Sequence, residues 1–385
     1  MKKSMLKKVG CMVFAMSMIV ASLSGCGSKG GDSDVIQIGA VMPLTGDAPA
    51  IGASMKNGAD LAVKEINDAG GVLGKQIKLI TEDDQNQPAV APNAITKLIE
   101  QDKVVGVLGT YASSCSIPMA AIAKEKKVPM ISIGSTNEKV TLEGGDYVFR
   151  ACFIDPLQGK VAAAFAYDTL KATKVATLYD MSKDYCIGIS EAFKESYEAL
   201  GGEIIYSQTY NKGDSDFKAF LTEISGLEID ALYLPDDYSV VGLIAKQARE
   251  MGIDCNILGS DSWSDLALID VGGDAVEGAY FTDHASLTSD DENVKKFVED
   301  YKAAYKSDPS AFSVLAYDSV KLMANAIEKA GGTENTKIQE ALVATDTKGL
   351  SSQYRFDENH NPIKDIIINK VEDGQFIFVD QISPE

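Results

Sequence analysis

The chain runs to 385 residues, long enough for two ordinary domains with real cores. Apolar residues make up 45% of it, so most of the chain is expected to fold rather than stay disordered. Its 56 acidic residues against 36 basic ones give a formal net charge of −20, which excludes binding to a phosphate backbone.

Lys2, Lys3, Lys7 and Lys8 form a positive head before "VGCMVFAMSMIVAS", an apolar run of signal-peptide length that is short for a bilayer span. It ends in "LSGC", which resembles a bacterial lipobox. Residues 1–25 are therefore expected to be a lipoprotein signal peptide, and Cys26 the lipidated first residue of the mature chain. "SKGGDSD", at 28–34, reads as a flexible tether. The expected location is the extracytoplasmic face of a bacterial cell membrane, with the lipid on Cys26 as the anchor.

Beyond the tether, apolar strands alternate with helices. "VIQIGAVMPL" reads as a strand, and "GASMKNGADLAVKEINDAGG" as an amphipathic helix ended by Gly70 and Gly71. "KQIKLITEDD", "VVGVLGT" and "VPMISIG" are further strands, with helices at "PNAITKLIEQDK" and "PMAAIAKEKK" between them. The rhythm pauses at "YVFRACFIDPLQG" and restarts with strands "KVATLYD", "EIIYSQTY", "IDALYLP" and "NILGSD". "EGAYFTDH" is read as another crossing, followed by helices at 290–306 and 312–330 and a hairpin turning at 357–362. Strands without polar alternation, spaced by helices, imply parallel sheets covered on both faces. The expected fold class is α/β, with two Rossmann-like doubly wound lobes joined by three hinge crossings. Lobe 1 is assigned 35–153 plus 284–357, and lobe 2 is assigned 154–283 plus 358–385. The crossings are expected near 152–155, 282–285 and 356–361.

In open α/β sheets, ligands bind beyond the carboxyl ends of the strands. "TYASSCS" sits at such an end, before a helix with Pro118 near its first turn. Free N–H groups and serine hydroxyls converge there, which suits an anion. With only His284 and His360, a His-rich metal site is not expected. His360, in the polar turn "DENHNP", reads as a solvated loop residue; His284 follows a strand and reads as a surface residue, with lining a cleft as the alternative. Without a resemblance, Ser113 and Thr136 read equally as turn or cap residues. No phosphate-binding glycine motif is present. Cys115, Cys152, Cys186 and Cys255 show no dense framework, and a Cys152–Cys186 bridge stays open. Asp83 and Asp84 are expected to end a strand in solvent.

The segment from "IGAVMPLTG" to "GKQIKL", followed in order by "LGTYASSCSIP", "PMISIGSTNEKVT", "YDMSKDY" and "ILGSDSW", resembles the type I solute-binding proteins of ABC transporters. Within them it is most similar to the leucine/isoleucine/valine-binding family, over the whole mature chain. The resemblance implies a binding protein and not an enzyme, without cofactor or metal. Its ligand would be a branched-chain or other small amino acid, and its partner a membrane permease with a cytoplasmic ATPase. By the same resemblance Ser113 would donate to the carboxylate, the Gly134 carbonyl, beside Ser135, would take the ammonium, and Thr136 would hold both ends of the head group. Tyr185 would lie over the ligand, Tyr238 and Asp261 would meet the ammonium, and Phe312 would touch the side chain. Ile51 stands where the family has a large aromatic, which leaves room for a different side chain. Asn86 and Ala112 stand where it has a disulfide, and Asp237 is an unmatched acid. Trp263 fits the cleft and packing on the domain surface equally. The alternative is a sensory receptor of the same fold for an amide, short peptide or aromatic acid. A hydrolase built on Ser113 lacks a neighbouring base.

Overall fold

A computed structural model of the chain describes residues 35–383. The signal peptide, Cys26 and the tether lie outside the described residues. Among the described residues, no helix is long and apolar enough to cross a membrane.

The first sheet takes its strands from the amino-terminal half. In chain order come β1 (Val35–Met42), α1 (Pro49–Asp68), β2 (Gln76–Asp83), α2 (Ala91–Glu100) and β3 (Val107–Leu108). Then come α3 (Ser113–Lys126), β4 (Met130–Ser132), α4 (Lys139–Gly144) and β5 (Val148–Arg150). The strands are parallel in the order β2-β1-β3-β4-β5, with Val35 opposite Gln76 and Met42 opposite Asp83. The double glycine after α1 works as read: both residues have positive φ, and a Cβ on Gly71 would stand 2.0 Å from the Lys75 carbonyl oxygen.

The chain crosses through α5 (Asp155–Ala164) and builds a second sheet. Its elements are β6 (Lys174–Asp180), α6 (Asp184–Ala199), β7 (Glu203–Tyr210), α7 (Lys218–Ser225), β8 (Ala231–Tyr233), α8 (Tyr238–Glu250), β9 (Asn256–Gly259), α9 (Ala267–Gly272) and β10 (Tyr280–Asp283). It then returns through α10 (Glu292–Tyr305), α11 (Ala311–Ala330) and α12 (Asn335–Val343). A small ladder of β11 (Thr347–Lys348) and β12 (Gln353–Tyr354) precedes the last crossing to β13 (Ile366–Glu372) and β14 (Gln375–Ile382). The second sheet runs β14-β13-β10-β9-β8-β6-β7, parallel from β10 to β7, with β13 antiparallel to both β10 and β14. These are two doubly wound α/β lobes, joined by three passages of the chain.

Helix α11 belongs with the first sheet because it seats on α1. A Cβ on Gly58 would lie 2.0 Å from the Ser313 carbonyl oxygen, so the two helices touch backbone to backbone there. Ser54 and Ser310 hydroxyls meet at 2.7 Å, and Tyr317 donates to Glu65 at 2.5 Å.

The turn at 357–362 has the hairpin character expected of it: Phe356 and Pro362 form an antiparallel bridge around it, and Asp357 N–H donates to the Asn361 carbonyl at 2.9 Å. A further hairpin, from β13 to β14, turns at Asp373–Gly374, where both residues have the positive φ that a tight hairpin demands. One expectation about local structure is corrected. Helix α3 begins at Ser113, so Pro118 falls inside it, past the first turn. The ring removes only the bond to the Ser114 carbonyl and leaves the serines as the first turn.

Candidate functional site

Five strand ends feed loops that converge between the sheets: those after β3, β4, β6, β8 and β9. They enclose a cavity of about 270 Å³, which the loop after β2 also lines. Of the residues expected at the ligand, Ser113, Gly134, Tyr185 and Asp261 line it.

Ser113 opens α3 after an extended Ala112, so the free N–H groups of the first turn lie at the cavity. Its Oγ accepts from the Asn137 N–H at 3.2 Å. The neighbouring Ser114 Oγ accepts from the Asp184 N–H at 3.0 Å, a bond from the first lobe to α6 of the second. Asn137 Nδ2 adds another to the Asp184 carbonyl at 2.9 Å. The lobes are closed on each other in this structure.

Asp261 is 1% exposed, and both its oxygens are engaged. Oδ1 accepts from the Tyr185 hydroxyl at 2.6 Å and from Gln158 Nε2 at 2.7 Å, and Oδ2 meets His284 Nε2 at 2.9 Å. Burial pushes the His284 pKa below its ordinary value despite the pull of Asp261, which keeps the ring neutral at pH 7. Burial and then Asp261 push the Tyr185 phenol well up, so it stays a proton donor. Its partners are thus a phenol, an amide and an imidazole, and among the described residues no lysine or arginine pairs with it.

A second acid faces the same space. Asp237 Oδ1 accepts from the Tyr111 hydroxyl at 2.5 Å, and its Oδ2 pairs with Lys183 Nζ at 2.7 Å. Lys183 also pairs with Asp236, which accepts from Tyr210 at 2.5 Å. Burial opposes the Lys183 charge, but the two carboxylates outweigh it and hold its pKa well above the ordinary value.

The remaining expected residues stand behind this wall. Phe312 is fully buried, with its ring edge-on to Tyr111 at 5.1 Å, and a Cβ on Gly134 would meet it at 2.7 Å. Ser135 Oγ bonds the Tyr111 carbonyl at 2.9 Å and Ser116 Oγ at 2.7 Å. Thr136 is buried and does not line the cavity. Ile51 and Tyr238 lie in the large apolar core, so neither is at the cavity wall. The reason for Tyr238 is a one-residue offset. Asp237 caps α8 in extended conformation and faces the gap, while Tyr238 begins the helix and joins the core. Trp263 is interior: its ring covers Gly259, and Nε1 bonds the Leu234 carbonyl at 3.2 Å.

Two polar residues expected in solvent are not there: His284 is 1% exposed on Asp261, and Asp84 is fully buried. His360 keeps the turn position expected of it, half-buried with its ring stacked on Phe149 at 4.1 Å. The four described cysteines are free thiols. Sequence reasoning also missed Tyr111, Gln158 and Lys183. Tyr111 and Lys183 lie inside quoted strand-end segments, so position was the available signal; Gln158, inside the first crossing, carried none.

Comparison with known proteins agrees with this geometry. Residues 35–375 match the family model described as "Periplasmic binding protein". A leucine-, isoleucine-, valine-, threonine- and alanine-binding protein of Pseudomonas aeruginosa is 30% identical over 352 residues, covering 91% of this chain and 93% of its own. Among solved structures, the leucine-binding protein LivK of Thermotoga maritima has a TM-score of 0.85 at 36% identity, over 91% of this chain and 99% of that one. The substrate-binding protein LivJ of Streptococcus pneumoniae, solved with isoleucine, has 0.86 at 36% identity, over 91% and 100%. On the family match over residues 35–375 and these relatives together, the chain belongs to the periplasmic binding protein family.

Proposed function

We propose that the protein is the lipid-anchored, extracytoplasmic substrate-binding component of an ABC importer. It captures a branched-chain or other small amino acid between its lobes and delivers it to a membrane permease. The observation that carries this reading is Asp261, a buried carboxylate at the cavity that meets a phenol, an amide and an imidazole but no lysine or arginine. Such a group is matched to a ligand ammonium, and the first turn of α3 is matched to a ligand carboxylate. The names of the relatives, given for leucine, isoleucine and valine, support the same class.

In this reading the lobes are 35–153 with 284–357 and 154–283 with 358–385, turning about crossings near 152–155, 282–285 and 356–361. Ligand that touches both lobes favours the closed form by its additional contacts there, so binding is a population shift and no bond is made or broken. Lipid on Cys26 keeps the protein beside its permease.

The test is a calorimetric panel of amino acids beside their deaminated analogues, leucine against 4-methylpentanoate among them. Binding of the amino acid with at least a hundredfold loss for the acid supports the ammonium site. Equal binding of the acid overturns it and points instead to a receptor for carboxylic acids.

A further inference from the structure

His284 stands where the ammonium site meets the passages between the lobes. It directly follows β10, in the second crossing, and is 1% exposed. Its ring packs on Phe153, beside the first crossing, at 4.0 Å between centroids, and meets Phe312 of α11 edge-on at 5.5 Å. Its backbone N–H donates to Asp283 Oδ1 at 2.7 Å. Held from these elements, the ring brings Nε2 to 2.9 Å from Asp261 Oδ2. A carboxylate only accepts, so Nε2 carries the proton in this contact.

The contacts of Asp261 are not equivalent. Gln158 Nε2 divides its donation between Asp261 Oδ1 and Thr282 Oγ1, at 2.7 and 2.6 Å. The Tyr185 hydroxyl lies between Asp261 Oδ1 and Ser260 Oγ, at 2.6 and 2.7 Å, and its half-buried ring is cavity wall. Both of these donors act on Oδ1. Among the described residues His284 is the partner of Oδ2, and its other ring nitrogen bonds nothing.

A carboxylate bonded through one oxygen still turns about its Cβ–Cγ bond, whose rotation is soft. A fixed ring on the second oxygen stops that turn. An acceptor oriented before the ligand arrives spares the ordering cost on binding. Burial holds the His284 pKa below its ordinary value, so the ring donates without bringing a charge to compete with a ligand ammonium.

We propose that His284 is the positioning residue of the ammonium site: from the second crossing it sets the plane of the Asp261 carboxylate that receives the ligand amino group. This rests on the amino-acid reading above and deepens it. The donor at the Nε2 position matters in this role, rather than the aromatic ring, and the effect falls on the amino group of the ligand rather than on its carboxylate or side chain.

The experiment compares wild type, His284→Leu and His284→Gln at pH 7. Leu fills the space between the two phenyl rings without a donor, and Gln places an amide N–H near the position of Nε2. Each is titrated with the tightest wild-type binder among leucine, isoleucine, valine, threonine and alanine, and with its deaminated analogue by competition. His284→Leu is expected to weaken the amino acid at least tenfold and the analogue less than threefold, and His284→Gln to bind the amino acid within threefold of wild type. If His284→Leu does not fold, His284→Asn, whose amide is too short to reach, is read in its place. A loss under tenfold, a gain in affinity, an equal loss for the analogue, or a loss that Gln does not recover overturns the proposal while the amino-acid reading stands. Absence of binding by all five amino acids to wild type overturns both.

Discussion

The Tyr111 hydroxyl, on the loop after β3, donates to Asp237 Oδ1 at the start of α8, 2.5 Å away, and so ties one lobe directly to the other. The same ring packs edge-on against Phe312 and forms cavity wall. One residue therefore shapes the pocket and latches it. A hydrogen bond to a charged group contributes about 1.5–3 kcal/mol, and this one is made only when the lobes meet. Tyr111→Phe is expected to weaken ligand binding by roughly tenfold, at about 1.4 kcal/mol per factor of ten. A dissociation constant within twofold of wild type, by calorimetry, would show that the bond does not hold the lobes together.

Asp261→Asn keeps the size of the side chain and removes its charge. The ammonium then loses its counter-ion in a site closed to water, where breaking such a pair costs about 2–5 kcal/mol. Binding should fall by at least tenfold, while Tm without ligand stays close to wild type. An unaltered titration would remove Asp261 from the site.

Ile51→Trp is expected to act on stability rather than specificity. Ile51 is fully buried in α1, beside a Gly52 whose Cβ would lie 2.0 Å from the Pro43 carbonyl oxygen, so extra volume has nowhere to go. Overpacking of this kind costs about 1–3 kcal/mol. A lower Tm with the same ranking of ligands is the expected result; a new ranking at unchanged Tm would return Ile51 to the pocket.

Asp155, the first residue of α5 at the first crossing, gives a pH dependence of defined sign. Burial pushes its pKa up to about 8, with Asp261 and Glu138 adding to the rise and Thr136 and Arg150 opposing it. The folded chain keeps the proton between about pH 4 and 8, where the unfolded chain has released it, so this group's contribution to stability falls as pH rises through that window. Asp155→Asn cannot ionise and escapes the loss. The Tm advantage of the variant over wild type should therefore grow from pH 5 to pH 8. A constant difference would show that Asp155 titrates alike in both states.

Cys26→Ala should move the exported protein from the membrane pellet to the soluble fraction, because the expected lipid has no other attachment point. Retention in the pellet after export would remove the lipid anchor from the proposal.

The sequence by itself determined the architecture. Unbroken apolar strands between amphipathic helices, in two series separated by "YVFRACFIDPLQG", admit little but two parallel sheets, since such strands must be covered on both faces. It also placed Ser113, Gly134, Tyr185 and Asp261 at strand ends, where any ligand of this architecture must sit. Tertiary structure decided which side chains meet. Gln158 and His284 reach Asp261 from 103 and 23 residues away, and Tyr111 reaches Asp237 across 126. Local patterning carries no information about such pairings. It could not assign Asp237 rather than Tyr238 to the gap, because the two differ by one residue at a helix start. The direction of a side chain there follows from how the helix packs, and packing is a property of the whole chain.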